Sequence, residues 1–265
     1  MNGAGPGGWD NDRMTRFKVG VQIRPQHCEM APLREAWKAS DALGVDSIWT
    51  WDHFYPLFGP ADGAHFECWT ILAAIAADTS HAQFGALVTC NSYRNPDLLA
   101  DMARTVDQIS GGRLILGIGS GWFERDYSEY GYEFGTAPER LRALRASLPR
   151  IKERLGRLNP SGAQIPVMIG GSGEKVTLKL VAQHAQLWNA FGPPENFARK
   201  NQILNDWCAE VGRDPLEIDR TCMIGAEDID NIDAFLEAGA THIIFGLDTP
   251  FDLKPVERLL EIARG

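Results

Sequence analysis

The residue types best suited to chemistry fall in four short stretches, each directly after a run of branched, aromatic or small apolar residues. They are Trp51-Asp52-His53-Phe54, Thr89-Cys90-Asn91-Ser92-Tyr93-Arg94-Asn95-Pro96, Gly117-Ile-Gly-Ser-Gly-Trp122 and Gly170-Gly-Ser-Gly-Glu174. An unperturbed imidazole titrates at about 6.5, so His53 can relay a proton or hydrogen-bond a redox ring near neutral pH; it can equally serve a backbone carbonyl. Asp52 can orient His53, cap the next segment or solvate the surface. The two glycine-rich turns lead toward helical segments, where bare N–H groups and a helix dipole can hold a phosphate. Glycines at strand ends are also ordinary structural punctuation. Trp51 and Trp122 can wall a flat ring or its entrance, whereas Trp49, Trp69 and Trp188 read as core. His27, His65, His81, His184 and His242 have no comparable company and read as structural or exposed.

A metal centre is the rival chemistry, because Cys28, His53, His65, Cys68 and Cys90 all lie in the first third of the chain. Their spacing argues against it: the first strand carries no HxH, no helix carries HExxH, and the cysteines form no CxxC pair. Five scattered cysteines also argue against a secreted disulfide framework and for a reducing, cytoplasmic setting. The first residues lack a signal-peptide profile, and no apolar run approaches the ~20 residues that span a bilayer. A net charge of -9 without a long Lys/Arg run disfavours nucleic acid and anionic membranes as partners.

Such loops need a scaffold, and the rest of the chain supplies its pattern. Short apolar runs alternate with stretches of helical period from Phe17 onward, as expected of a parallel sheet covered by helices. The strands are expected at Phe17–Arg24, Val45–Asp52, Gln83–Cys90, Arg113–Gly119, Ile165–Gly170, Leu187–Phe191, Glu217–Ile224 and Thr241–Gly246. Between them Leu33, Ala36, Trp37 and Leu43 line one helix face, and Leu98, Met102, Val106 and Ile109 another. Asn95 caps a helix with Pro96 at its first position, and Gly111–Gly112 ends it. Leu141, Leu144, Leu148, Ile151 and Leu155 mark a further helix that Pro149 should bend or restart. Eight βα units in 265 residues point to one α/β domain over 17–265, a (β/α)8 TIM barrel, with an open doubly wound sheet as the alternative. The glycine-rich segment Met1–Arg16 reads as a disordered tail. In a barrel the active site lies at the C-terminal strand ends, where the four stretches fall.

At these strand ends the chain resembles the luciferase-like superfamily, specifically its deazaflavin (coenzyme F420)-dependent oxidoreductases. The resemblance runs from Phe17 to Gly265 and is carried by Ser47-Ile-Trp-Thr-Trp-Asp-His-Phe54, Tyr93-Arg-Asn-Pro96, Gly111-Gly-Arg-Leu-Ile-Leu-Gly-Ile-Gly-Ser-Gly-Trp122 and Ile165-Pro-Val-Met-Ile-Gly-Gly-Ser-Gly-Glu174. It implies that Asp52 and His53 lie beside the reacting face of the cofactor ring, with His53 catalytic. It further implies that Ala86 and Leu87 carry a non-prolyl cis peptide behind the ring, and that Thr89 makes a polar cofactor contact. Ser120, Gly121 and Trp122 would touch the cofactor after the fourth strand, and Gly170, Gly171 and Gly173 would hold its phosphate.

Two departures from the family pattern stand out. Trp122 occupies the place where sugar-phosphate dehydrogenases of the group carry a glutamate, and only Gly156 to Gln164 stands where many relatives insert a long segment before the fifth strand. The expected activity is hydride transfer between coenzyme F420 and a small organic substrate, by a homodimer without nucleic-acid or membrane partners. The alternatives are an FMN-dependent monooxygenase of the same superfamily and a non-catalytic flavin-binding barrel.

Overall fold

The computed structural model describes residues 15–265. The expected tail falls mostly outside the described residues, but Arg16 is anchored: its N–H donates to the Ala263 carbonyl and its guanidinium pairs with Asp233. The chain runs β1 (Lys18–Ile23), α1 (Met30–Leu43), β2 (Ser47–Thr50), α2 (Cys68–Asp78), β3 (Gln83–Ala86), β4 (Thr89–Cys90), α3 (Pro96–Ser110) and β5 (Leu114–Gly119). It continues through α4 (Glu124–Tyr130), α5 (Ala137–Arg157), β6 (Val167–Gly170), α6 (Thr177–His184), β7 (Leu187–Phe191), α7 (Pro194–Val211), β8 (Asp219–Ile224), α8 (Ile232–Glu237), β9 (His242–Leu247) and α9 (Lys254–Arg264).

All strand pairs are parallel; β1 joins β2 on one side and β9 on the other, and β3 pairs with β5, so the sheet closes on itself. With β3 and β4 counted as halves of one interrupted strand, this is a (β/α)8 barrel. The interruption contains a non-prolyl cis peptide at Leu87–Val88, one bond later than the expected Ala86–Leu87.

Strand alternation sorts side chains into two cores. Outward residues such as Val19, Val21, Ile48, Phe84, Leu116 and Ile118 pack under the helices. Inward Trp49, Ile115, Met168, Leu187 and Ile244, with Leu87, fill the barrel itself. The barrel closes with several inward positions that lack a side chain, Gly85 and Gly117 among them. A Cβ on Gly85 would lie 2.2 Å from the Ile115 carbonyl oxygen, and one on Gly117 would lie 1.9 Å from that of Ala86.

Helix α3 starts as its sequence indicates, with the Asn95 side chain accepting from the Asp97 N–H and Pro96 at the first turn. Its buried face is rotated from the expected one: Leu99, Ala100, Ala103 and Val106 are buried, while Leu98 and Ile109 are exposed. α5 continues through Pro149 as one helix, so the proline does not restart it. Pro149 and Arg145, whose carbonyl loses its N–H partner, both lie on the exposed face, where water can replace the missing hydrogen bond. Only residues 158–166 then lead to β6. Among the described residues no helix is long and apolar enough to cross a membrane.

Candidate active site

The C-terminal strand ends enclose a cavity of about 390 Å³. Its position follows from strand parity: Gln22 and Arg24 of β1 and its extension, Asn189 and Phe191 of β7, and Met223 of β8 continue the inward rows above the filled core. Leu87 and Val88 both line the cavity although they are consecutive, a break in alternation that coincides with the gap between β3 and β4. Val88 fits because its neighbours are glycines: a Cβ on Gly119 would approach it to 2.7 Å and one on Gly170 to 2.9 Å. Gly121, at φ 82°, passes so close to Tyr127 that an added Cβ would lie 2.0 Å from the phenol oxygen. The glycines of both turns therefore provide clearance and left-handed backbone first, whatever they bind.

His53 stands in the cavity wall with Nδ1 2.7 Å from Asp126 Oδ2. Asp126, on α4, is fully buried and also accepts from the Phe54 N–H at 3.1 Å and the Tyr93 hydroxyl at 2.9 Å. A carboxylate is an acceptor here, so Nδ1 carries the hydrogen of the neutral ring and Nε2 is left as the acceptor available for chemistry. Burial raises the Tyr93 phenol above its ordinary range and keeps it a donor to Asp126. The ring is fixed further by edge contacts with Trp51, Trp122 and Phe123, at centroid distances of 6.0, 5.8 and 5.5 Å.

The residue that orients His53 is thus Asp126 and not its neighbour Asp52. Asp52 also lines the cavity, but its carboxylate is taken up by a two-pronged ion pair from Arg94 at 2.5 and 3.0 Å and by the Cys90 N–H at 3.0 Å. Arg94 also reaches Glu67 at 2.7 Å. This ion pair ties the loop after β2 to the loop after β4. Sequence reading missed Asp126 because Glu124-Arg-Asp126 resembles a solvated first turn. The available signal was that Asp126 shares a helical stripe with Phe123, Tyr127 and Tyr130.

Asp52, Ser120, Gly121, Trp122, Gly170 and Gly171 all line the cavity with Leu87, as their sequence positions indicated. Ala86 does not: it shares the outward row of Phe84 and is buried under the helices. Thr89 is also outward, its hydroxyl accepting from the Trp69 indole at 2.8 Å, so it offers the cavity no polar contact. Gly173 lies outside the cavity in a shallow groove formed by Ser172 to Val176 and Lys200 before α6. The N–H groups from Ser172 to Val176 donate to no other described protein group. Lys200 and Arg199 both bond Glu174 there and hold its carboxyl down to about 2. With Lys175, three cations then face one carboxylate, and the groove suits an anion.

At the floor, Gln22 donates from Nε2 to the Leu87 carbonyl at 3.0 Å, and its buried Oε1 has no partner among the described residues. At a cavity wall such an acceptor is open to a donor from water or from a bound molecule.

His65 has more company than its sequence suggested, since its Nε2 accepts from the Trp51 indole N–H at 2.9 Å. Burial, then the nearby His53 charge, lowers its pKa to about 4. The unfolded chain binds a proton near pH 6.5, where the folded one does not, so this contribution to stability is complete above about 6.5 and lost as pH falls toward 4. Urea unfolding across that range should show a shallower acid loss for His65→Gln, whose amide oxygen can still accept from Trp51, than for the parent. Equal slopes would remove His65 from the acid response.

Comparison with known proteins matches this architecture. The luciferase-like monooxygenase family model matches residues 14–226. An F420-dependent glucose-6-phosphate dehydrogenase of Amycolatopsis mediterranei is 32% identical over 140 residues, covering 52% of this chain and 41% of that protein. A phthiodiolone/phenolphthiodiolone dimycocerosates ketoreductase of Mycobacterium tuberculosis is 28% identical over 226 residues, covering 71% and 58%. The chain thus spans about half the length of these curated relatives. Among solved structures, an F420-dependent secondary alcohol dehydrogenase superposes with a TM-score of 0.81 at 16% identity, over 94% of this chain and 98% of that one.

Proposed function

The chain belongs to the luciferase-like monooxygenase family, and on that basis we propose that it is an oxidoreductase exchanging hydride between coenzyme F420 and a small organic substrate. Relatives named for F420 dependence support the choice of cofactor. The observation that carries the reading is His53, held by Asp126 in the wall of the cavity that opens over Val88.

The residues present fit such a group. Gln22 Oε1 is a free acceptor for a ring N–H, Leu87 and Val88 form an apolar support, and the groove from Ser172 to Val176 with Lys175 and Lys200 suits a phosphate. When bound, the deazaflavin supplies a carbon centre that accepts or donates hydride. The protein's part is to position, to exclude water and to move one proton. In reduction of a carbonyl, His53 in its protonated form gives the Nε2 proton to the developing alkoxide; in oxidation of an alcohol, neutral Nε2 receives it. Asp126 stabilises the imidazolium form without leaving its bonds to Phe54 and Tyr93.

Fluorescence titration with coenzyme F420 and with FMN in the same buffer tests the cofactor. Binding of F420 tighter than that of FMN is expected; micromolar FMN binding with no detectable F420 binding would overturn the assignment in favour of the monooxygenase alternative.

A further inference from the structure

Phe58, Trp122 and Phe191 stand at the mouth of this cavity with 58%, 63% and 61% of their surface exposed. Isolated exposed apolar residues are unremarkable, but three large aromatic side chains around one opening form a surface that costs free energy until something covers it. They come from three separate parts of the chain: the loop after β2, the turn after β5 and the end of β7. Behind them the lining continues with Trp51, Leu57 and Met223.

Arg24 is the cation among the cavity's lining residues whose guanidinium is not fully satisfied, its buried Nε having no partner among the described residues. Arg24 pairs with Asp248 and lies 5.9 Å over Trp51 and 5.6 Å over Phe58. Asp52 is neutralised by Arg94. Lys175 and Lys200 line the separate groove that follows the Gly170–Gly171 turn, and neither lines this cavity. A phosphate or carboxylate on a substrate entering between the aromatics would therefore lose its hydration and have to compete with Asp248 for Arg24, whose faces Trp51 and Phe58 already cover. His53 Nε2 remains to meet the reacting polar group, with Gln22, Ser120 and Asn189 as other uncharged polar residues of the lining.

We propose that the substrate is an uncharged, mainly apolar molecule, ring-sized or larger, bearing one polar reacting group, and that the collar of Phe58, Trp122 and Phe191 selects it. This rests on the oxidoreductase reading above, and deepens it by naming the class of molecule that meets the cofactor.

Calorimetric titration tests it with a series of increasing apolar area, acetone, cyclohexanone and 2-decalone, against pyruvate and glucose 6-phosphate as charged probes. Each is titrated into the protein with oxidised coenzyme F420 and into the protein alone. Affinity should rise about tenfold or more from cyclohexanone to 2-decalone, with a negative heat-capacity change, and the charged probes should bind more weakly than either. Phe58→Ser and Phe191→Ser replace exposed side chains and should fold normally, checked by circular dichroism. Each should weaken 2-decalone by about tenfold while changing acetone little. A charged probe that binds more tightly than 2-decalone, or 2-decalone affinity unchanged in both variants, would overturn the proposal. If F420 does not bind but 2-decalone still binds in a collar-dependent way, the oxidoreductase reading fails and the selection for apolar ligands stands.

Discussion

Replacing His53 with Ala should slow single-turnover hydride transfer by about 100-fold or more at saturating cofactor, while cofactor affinity stays within a few-fold of the parent. The expectation follows from geometry. Asp126 holds Nδ1, so Nε2 is the proton-transfer atom, and a positioned general acid or base is worth on the order of 100-fold or more in rate. Removing the ring leaves Asp126 with the Phe54 N–H and Tyr93 hydroxyl, so its buried carboxylate is still satisfied and the fold should persist. Asp126→Asn provides a second reading. It keeps the size of the side chain but removes the charge that stabilises the imidazolium, and should give an intermediate loss. If His53→Ala retains a rate within a few-fold of the parent, His53 is a packing residue and the proton comes from elsewhere.

Replacing Arg94 with Ala should destabilise the protein by about 3–5 kcal/mol, because it strands the fully buried Asp52 carboxylate with the Cys90 N–H as its remaining partner. Glu67 contributes less to this loss, being 40% exposed and also engaged as the cap of α2. The double variant Asp52→Asn/Arg94→Gln removes both charges at once and should lose less than Arg94→Ala alone. That ordering separates a stranded charge from mere loss of contacts. Urea midpoints for the three proteins give the answer, and a loss below about 1 kcal/mol for Arg94→Ala would show that water reaches Asp52. Because the ion pair joins the loops that carry His53 and Tyr93, the folded fraction of Arg94→Ala should also hold His53 less firmly.

Much of the architecture was legible along the chain. The expected strand runs overlap the observed strands, with ends differing by a few residues, and the Asn95–Pro96 start and Gly111–Gly112 stop of α3 are local signals that survive folding unchanged. The face of α3 was misread because Leu98 and Leu99 are adjacent, so the pattern contains two possible stripes. Packing chose the one with Ala100 and Ala103, whose small side chains let the helix lie close against its neighbours, and large apolar residues drew the reading to the wrong side. Pro149 does not restart α5 for the complementary reason: its cost depends on whether the orphaned carbonyl meets water, and that depends on which face is exposed.

The site divides along the same line. Sequence by itself determined that His53, Ser120, Gly121, Trp122, Gly170 and Gly171 would gather at one end of a barrel, because strand alternation and the rule that loops follow strand ends are consequences of local backbone geometry. The pattern read Gln83–Cys90 as one strand and only the family resemblance implied a cis bond at Ala86–Leu87; the interruption between β3 and β4, with the cis bond at Leu87–Val88, and the outward facing of Ala86 and Thr89 belong to the closed sheet. Only the tertiary structure decided that His53 would pair with Asp126, 73 positions away, and that adjacent Asp52 would pair with Arg94 instead. The physical reason is that Asp52 and His53 both line the cavity yet reach different partners, Arg94 on the loop after β4 and Asp126 on α4. Which carboxylate meets which base is then settled by how the loop after β2 and helix α4 pack, a contact that no local pattern encodes.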